Sequence, residues 1–366
     1  MDKLTLAFTA LWTFLFLYSL LAAIDFGAGF LFWWAGGRNT AAQQVIMRYL
    51  SPVWETTNVF LVFFIVGLVG YFPRAAATYG VLLIVPAGIA LMLLIVRGAA
   101  LAFHHLSEKG QRLFPMIFGL GSLLIPVFLV PFVAVSEDAR AVSAGGVAQA
   151  SVAEVLFSPL TITFMLVALT AMLALSSVFL TWYAARMGEA LAFRYFRQVA
   201  RWFAPLMLLA ALLLGVSLWF DAPWHAQALV AYWPWHLLAA LCFGGVCFLL
   251  SRPPRADRAG RYGLALLLSI AQFGLVFYTF WFSRLPYLLY PSLTLNNTTT
   301  SPAMFTALTV TVVGGSVLLI PCLLLLYGVF LSTRGKKTIS EGERLSKPQG
   351  CGSLLQKAGA SIEKRP

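Results

Sequence analysis

Long apolar runs separated by short polar segments make up most of the chain. They extend from Leu4 to Trp34, Val53 to Phe72, Tyr79 to Phe103, Met116 to Val135 and Leu160 to Tyr183. Four more follow, from Phe203 to Phe220, Tyr232 to Leu250, Tyr262 to Phe282 and Met304 to Leu331. A hydrocarbon core roughly 30 Å thick is crossed by about 20 apolar residues in helical form, so each run can supply one span. The pattern predicts an all-α integral membrane protein of about nine transmembrane helices, with residues 1–331 as one polytopic membrane domain. From residue 332 to 366 the chain turns to Gly, Lys, Arg, Ser and Glu, which predicts a basic, disordered cytoplasmic tail able to lie against anionic headgroups. Ser51-Pro52 and Ser158-Pro159 each read as a helix opening, with Ser as the N-cap and Pro at the first helical position.

Composition agrees with lipid as the main solvent: 60% of the 366 residues are hydrophobic, 10% are charged, and the mean hydropathy is +0.86. The net charge of +12 does not point to nucleic acid, because the basic residues sort by loop. They crowd around Arg38 and Arg48, around Lys109 and Arg112, between Arg186 and Arg201, between Arg252 and Arg261, and in the tail. The alternate segments are poor in them. Between Ser136 and Ser158, Glu137, Asp138 and Glu154 face one Arg140, Asp221 to Trp235 has no Lys or Arg, and the next such loop has Arg284 alone. The positive-inside rule then sets the N-terminus outside and the C-terminus inside, as an odd number of spans requires. A cleaved signal peptide is the competing reading of the first run, but the run continues past Asp25 through Phe32-Trp33-Trp34, beyond the usual length of such a region. The four cysteines show no metal-type spacing and are expected as free thiols.

Ionisable side chains are costly in lipid, so those inside apolar runs carry the chemical information. Asp25 lies in Ala23-Ile24-Asp25-Phe26-Gly27-Ala28-Gly29, Glu55 in Ser51-Pro52-Val53-Trp54-Glu55-Thr56-Thr57-Asn58, and Arg97 in Leu94-Ile95-Val96-Arg97-Gly98. With alternating helix directions, all three fall near the cytoplasmic side. Two carboxylates and a guanidinium at one depth suit a charge-compensated route for proton uptake. Each also has a plainer reading: Glu55 in the first turn of a helix favoured by the macrodipole, Asp25 at a helix end, and Arg97 snorkelling to the interface. Gly27 and Gly29 allow close approach of another helix or a ligand. Histidine supply argues against haem ligation by this chain alone. His104 and His105 follow the third run, His225 and His236 sit in or beside an outer loop, and no two share a helix at a spacing that would sandwich a haem.

These same segments resemble subunit II of the cytochrome bd-type quinol oxidases. Asp25-Phe26-Gly27-Ala28-Gly29 is similar to that family's Gly-Phe-Asp-x-Gly-x-Gly signature. Pro52-Val53-Trp54-Glu55-Thr56-Thr57-Asn58-Val59-Phe60-Leu61 resembles its Pro-x-Trp-Asp-Gly-Asn-Glu-Val-Trp-Leu signature, followed by Tyr71-Phe72-Pro73 for a family Ala-Phe-Pro. Arg97-Gly98-Ala99-Ala100-Leu101-Ala102-Phe103-His104 is similar to the family's Arg-Gly-Val-Ala-Phe-Glu-Phe-Arg stretch. Ser292 to Pro302 resembles its Leu-Thr-x-x-Asn-Ala-Ser-Ser-Ser-Pro loop.

The resemblance implies two four-helix bundles and one peripheral helix, paired with a haem-bearing subunit I in a bacterial inner membrane, with small accessory subunits left open. It implies that haems b and d and the quinol site belong to subunit I, where quinol oxidation reduces O2 to water. This chain would bind no metal and hold no catalytic residue, and in some family members the corresponding chain carries a structural quinone. It further implies a proton path through Asp25, Glu55 and Asn58, with Arg97, Trp54, Gly27 and Gly29 in electrostatic or structural supporting places. The sequence departs from the pattern where Glu55 replaces Asp, where Thr56-Thr57-Asn58 replaces Gly-Asn-Glu, and where Ala102 stands for an acid. Glu55 keeps the carboxylate, whereas the other changes leave open a rerouted or a disabled proton path, or a divergent branch of the cyanide-insensitive type. A proton-coupled transporter and a non-catalytic membrane scaffold are the alternatives, and transporters place their acid pairs near the midplane instead.

Overall fold

The computed structural model describes residues 3–36, 39–103, 113–143, 145–252 and 258–346, except for the side chains of 51–56, 258–259 and 326–346. Helices run in the order α1 (Lys3–Trp34), α2 (Thr40–Tyr71), α3 (Pro73–Phe103), α4 (Leu113–Leu129), α5 (Pro131–Glu137) and α6 (Val152–Phe157). They continue through α7 (Pro159–Met187), α8 (Ala190–Asp221), α9 (Pro223–Val230), α10 (Trp233–Ser251) and α11 (Arg258–Ser283). A small antiparallel pair, β1 (Tyr287–Leu289) and β2 (Leu293–Thr294), then leads through α12 (Leu295–Thr298) to α13 (Pro302–Ser346). Among the described residues, eight helices are long and apolar enough to cross a bilayer, and the stretch Thr57–Tyr71 of α2 is a shorter apolar helix at the place of the second predicted span. The fold is that of an all-α, multi-pass membrane protein.

Two groups of four long helices are recognisable from what packs on what. In the first, α1 lies against α2 and α4, and α3 against α4; in the second, α7 lies against α8 and α11, and α10 against α11. The α1 helix also touches α7 and α11, so it joins the two groups. Ser158 caps α7 by accepting from the Thr161 amide, with Pro159 at the first helical position as its sequence predicts. The same helix stops at Gly188, whose φ of +76° is open to glycine at no steric cost and lets its amide reach the Ala184 and Ala185 carbonyls.

Two expectations change. Ser51-Pro52 does not open a helix: α2 begins eleven residues earlier at Thr40, capped by Asn39, whose side chain accepts from the Ala42 amide at 3.0 Å. The buried residues Ala42, Val45, Ile46 and Leu50 form a stripe at helical spacing ahead of the apolar run, which nucleates the helix before the hydropathy rises. The fourth predicted span is divided at Val130 into α4 and α5, because Pro131 has no amide to continue the ladder. The chain groups into two compact units, Met1–Val312 and Val313–Pro366. Within the second, α13 stays helical to Ser346, fifteen residues into the segment predicted as a polar tail; the remainder of that segment lies outside the described residues.

Candidate functional site

Asp25 and Arg97, 72 residues apart in the chain, meet inside the first helix group. The Arg97 Nη2 donates to Asp25 Oδ1 at 2.9 Å, and both side chains are shut off from the surface, at 3% and 1% exposure. Arg97 Nε donates to Ser122 Oγ at 2.7 Å, and that hydroxyl donates in turn to the Phe118 carbonyl at 2.7 Å. The guanidinium also lies over the rings of Phe26 and Phe118, 4.9 and 4.6 Å from their centroids. Arg97 is therefore a buried partner and not a snorkelling side chain.

Glycines make this pairing sterically accessible. A Cβ on Gly29 would lie 2.3 Å from Ser122 Oγ, and one on Gly27 would lie 2.4 Å from Ser176 Cβ, so only hydrogen at these positions lets α1 close onto α4 and α7. Gly121 brings α4 against Arg97, with its would-be Cβ 3.4 Å from Arg97 Cβ. Gly27 and Gly29 thus serve helix packing, on either side of the helix that carries Asp25.

The side chains of Trp54 and Glu55 lie outside the described residues, but the backbone of α2 fixes their level. Leu11 meets Gly67, Trp12 meets Phe64 and Phe14 meets Phe63. Carried along the two antiparallel helices, that register sets Glu55 level with Ala22, one turn from Asp25. Glu55 is also fifteen residues past the start of α2, so the macrodipole of a first turn does not account for a carboxylate there. Asn58 follows on the same helix and is half-buried.

A second ionic cluster sits at the opposite end of the bundle, and its members were placed by sequence in outer loops. Glu137, His225 and Arg284 are each 0% exposed. Arg284 Nη1 lies 3.2 Å from Glu137 Oε1 and donates to Ser136 Oγ at 2.7 Å, and its Nη2 donates to the Leu288 carbonyl. His225 Nδ1 lies 2.7 Å from Glu137 Oε2, close but off the hydrogen-bonding axis, while its Nε2 contacts Ser283 Oγ at 2.7 Å. Arg284 also lies over the Trp281 ring, 4.5 Å from its centroid, and Trp281 stacks on Trp12 at 3.4 Å. Trp12 is thirteen residues from Asp25, about 20 Å along α1. These charges are buried because α5, α9, α11 and the β1–β2 turn converge on them. The available signal was that each stands just past the end of an apolar run on one predicted side.

The described histidines are engaged elsewhere than at a metal. His225 belongs to the buried cluster, and His236 contacts the Tyr232 carbonyl through Nδ1 at 3.0 Å. No group of three or more His, Cys, Asp or Glu suited to a metal ion occurs among the described residues, and His104 and His105 lie outside them.

Comparison with known proteins gives a consistent answer across the chain. The sequence pattern of the family described as cytochrome bd terminal oxidase subunit II matches residues 4–330. A Bacillus subtilis (strain 168) protein, described as a putative cytochrome bd menaquinol oxidase subunit II, is 29% identical over 343 residues, which cover 92% of this chain and 98% of that one. A chain of the bd oxidase from Geobacillus thermodenitrificans superposes with a TM-score of 0.77 at 37% identity, over 90% of this chain and 99% of its own. The buried Asp25–Arg97 pair thus stands in a multi-pass bacterial membrane protein that belongs to the cytochrome bd terminal oxidase subunit II family.

Proposed function

We propose that this chain is the non-haem subunit of a quinol:O2 oxidoreductase, in which it supports a haem-bearing subunit I and conducts protons from the cytoplasmic side through Asp25, Glu55 and Asn58. The observation that carries this reading is the buried Asp25–Arg97 pair at 2.9 Å, with the backbone of a second carboxylate, Glu55, one helical turn away in level. Reduction of O2 to two waters takes up four electrons and four protons, so a site sealed from water needs a conducting line for protons as well as for electrons. The Arg97 guanidinium compensates one carboxylate, that of Asp25. The second carboxylate, Glu55, is the group we assign to proton exchange. Haems b and d, the quinol site and catalysis fall to the partner, and the B. subtilis relative's description suggests menaquinol as the quinol.

Two measurements test the reading. Affinity purification from the native membrane is expected to bring down a haem-rich partner with reduced-minus-oxidised bands of haems b and d; a haem-free complex that moves a solute would overturn it. Glu55→Gln is expected to slow oxygen consumption at unchanged haem content. Unchanged turnover would remove Glu55 from the route.

A further inference from the structure

The route as described stops at the level of Asp25, yet the same seam holds further polar side chains closer to the middle of the bilayer. Leu11, Tyr18 and Asp25 recur every seven residues on one buried face of α1, at 2%, 5% and 1% exposure. Leu11 packs on Gly67 of α2, so this face looks toward α2. On α2, Phe64 packs on Trp12, and Thr57, seven residues before it, shares its face and is 1% exposed. The register of the two helices sets Thr57 level with Leu20, between Asp25 and Tyr18. The Thr57 hydroxyl and the Tyr18 hydroxyl are both buried without a hydrogen-bond partner. Threonines and serines elsewhere in these helices return their hydroxyl to the carbonyl three or four residues back, as Thr9, Thr13 and Ser19 do on α1. Thr57 does not do so, which leaves its oxygen free toward the seam. Native proteins rarely leave buried hydroxyls unsatisfied, and an intervening water is one species that would satisfy these two.

We propose that Thr57 and Tyr18 extend the proton line inward from the Asp25 and Glu55 level, as hydroxyl relays joined by water. This inference rests on the reading of Asp25 and Glu55 as the uptake carboxylates. Each hydroxyl accepts an incoming proton's hydrogen bond at oxygen while releasing its own proton to the next acceptor, so neither residue keeps a charge and no oxidant or reductant is consumed. Asp25 and Tyr18 are separated by about 10 Å along α1, too far for direct transfer, and Thr57 divides that interval. Two hydroxyls, one on α1 and one on α2, thereby carry the proton supply past the level of the carboxylates.

The test uses the complete oxidase, purified with its haem-bearing partner, carrying Tyr18→Phe, Thr57→Val or Thr57→Ser, with Asp25→Asn and Glu55→Gln as controls. Removing an unpartnered hydroxyl at constant shape is close to neutral for folding, so Tyr18→Phe and Thr57→Val are expected to assemble with full haem content. Oxygen consumption is expected to fall about tenfold in each, less than the full contribution of a positioned proton-transfer group because water takes over part of the task. The H2O/D2O rate ratio is expected to rise with it, and Thr57→Ser, which keeps the hydroxyl, is expected to retain both rate and ratio. Wild-type rate and isotope ratio in Tyr18→Phe and Thr57→Val, with Glu55→Gln slow, would overturn this extension and leave the uptake carboxylates standing. Wild-type rates in both carboxylate variants would overturn the underlying reading instead, and Glu55→Gln decides alone if Asp25→Asn fails to assemble. A loss of haem content in step with rate in Tyr18→Phe would make Tyr18 a packing residue and overturn its role.

Discussion

Arg284→Met probes what the buried cluster at the far end of the bundle contributes. The substitution keeps an unbranched apolar stem and removes one charge from a site where Glu137, His225 and Arg284 are all 0% exposed. Several of its partners stay satisfied: the Leu288 carbonyl still accepts from the Tyr79 hydroxyl at 2.8 Å, and the Ser136 hydroxyl still donates to the Val133 carbonyl at 2.6 Å. The loss therefore concentrates on Glu137, whose charge is left without its guanidinium. Removing one partner of a buried ion pair costs about 3–5 kcal/mol, because the survivor is stranded out of water, while replacing both partners by apolar or neutral groups is often near neutral. Arg284→Met and Glu137→Gln are each expected to lose about 3–5 kcal/mol, and the double variant to lose much less than the two together. At roughly 2 °C per kcal/mol for a chain of this size, each single variant should lower the midpoint of thermal inactivation of the detergent-purified complex by about 6–10 °C. The assay is a heating series read by the size-exclusion peak and by haem absorbance. Single variants within about 2 °C of the wild type, or a double variant whose loss is the full total of the singles, would refute the argument that Glu137 is held by Arg284.

Three further outcomes follow from the geometry. Gly29→Ala puts a Cβ 2.3 Å from Ser122 Oγ and is expected to cost about 1–3 kcal/mol of heat stability, with Gly29→Ala/Ser122→Ala recovering part of it in the same heating series. Arg97→Lys keeps the charge but loses the fork that reaches both Asp25 and Ser122, so it is expected to lose about 1.5–3 kcal/mol, and wild-type heat stability would count against the fork. Outside the membrane, the exposed Glu154 carboxyl is held below its ordinary value by hydrogen bonds from Ser151. Because its folded value is the lowered one, the α6 cap is intact above the ordinary carboxylate range and is lost as pH falls through the lowered value. Amide exchange at Glu154 and Val155 should quicken over that interval, and Glu154→Gln should abolish the change.

Apolar length was legible because lipid enforces it: a run from Leu4 to Trp34 dominated by Leu, Phe and Ala, with Asp25 its one charge, has few other uses. Helix starts were less so. The beginning of α2 is written in a stripe of Ala42, Val45, Ile46 and Leu50 among polar residues, which a hydropathy window averages away. Asp25 and Arg97 stood out singly as charges in apolar runs, but that they share a 2.9 Å contact depends on Gly29 and Gly121 letting three helices converge, a relation with no local signature. The burial of Glu137, His225 and Arg284 was not legible for the same reason: each lies at or near a helix end, and only the convergence of α5, α9 and α11 takes it out of water.

The position of α1 has a mechanical consequence. It lies against α2 and α4 on one flank and α7 and α11 on the other, and Asp25 stands just before two glycine contacts, Gly27 to α7 and Gly29 to α4, one to each helix group. A helix clamped in this way acts as a keel: a tilt of either group displaces the carboxylate relative to Arg97, which is carried by α3 alone. Strain arising in one half of the subunit would thus be felt as a change in spacing within the ion pair, long before any helix lost its packing.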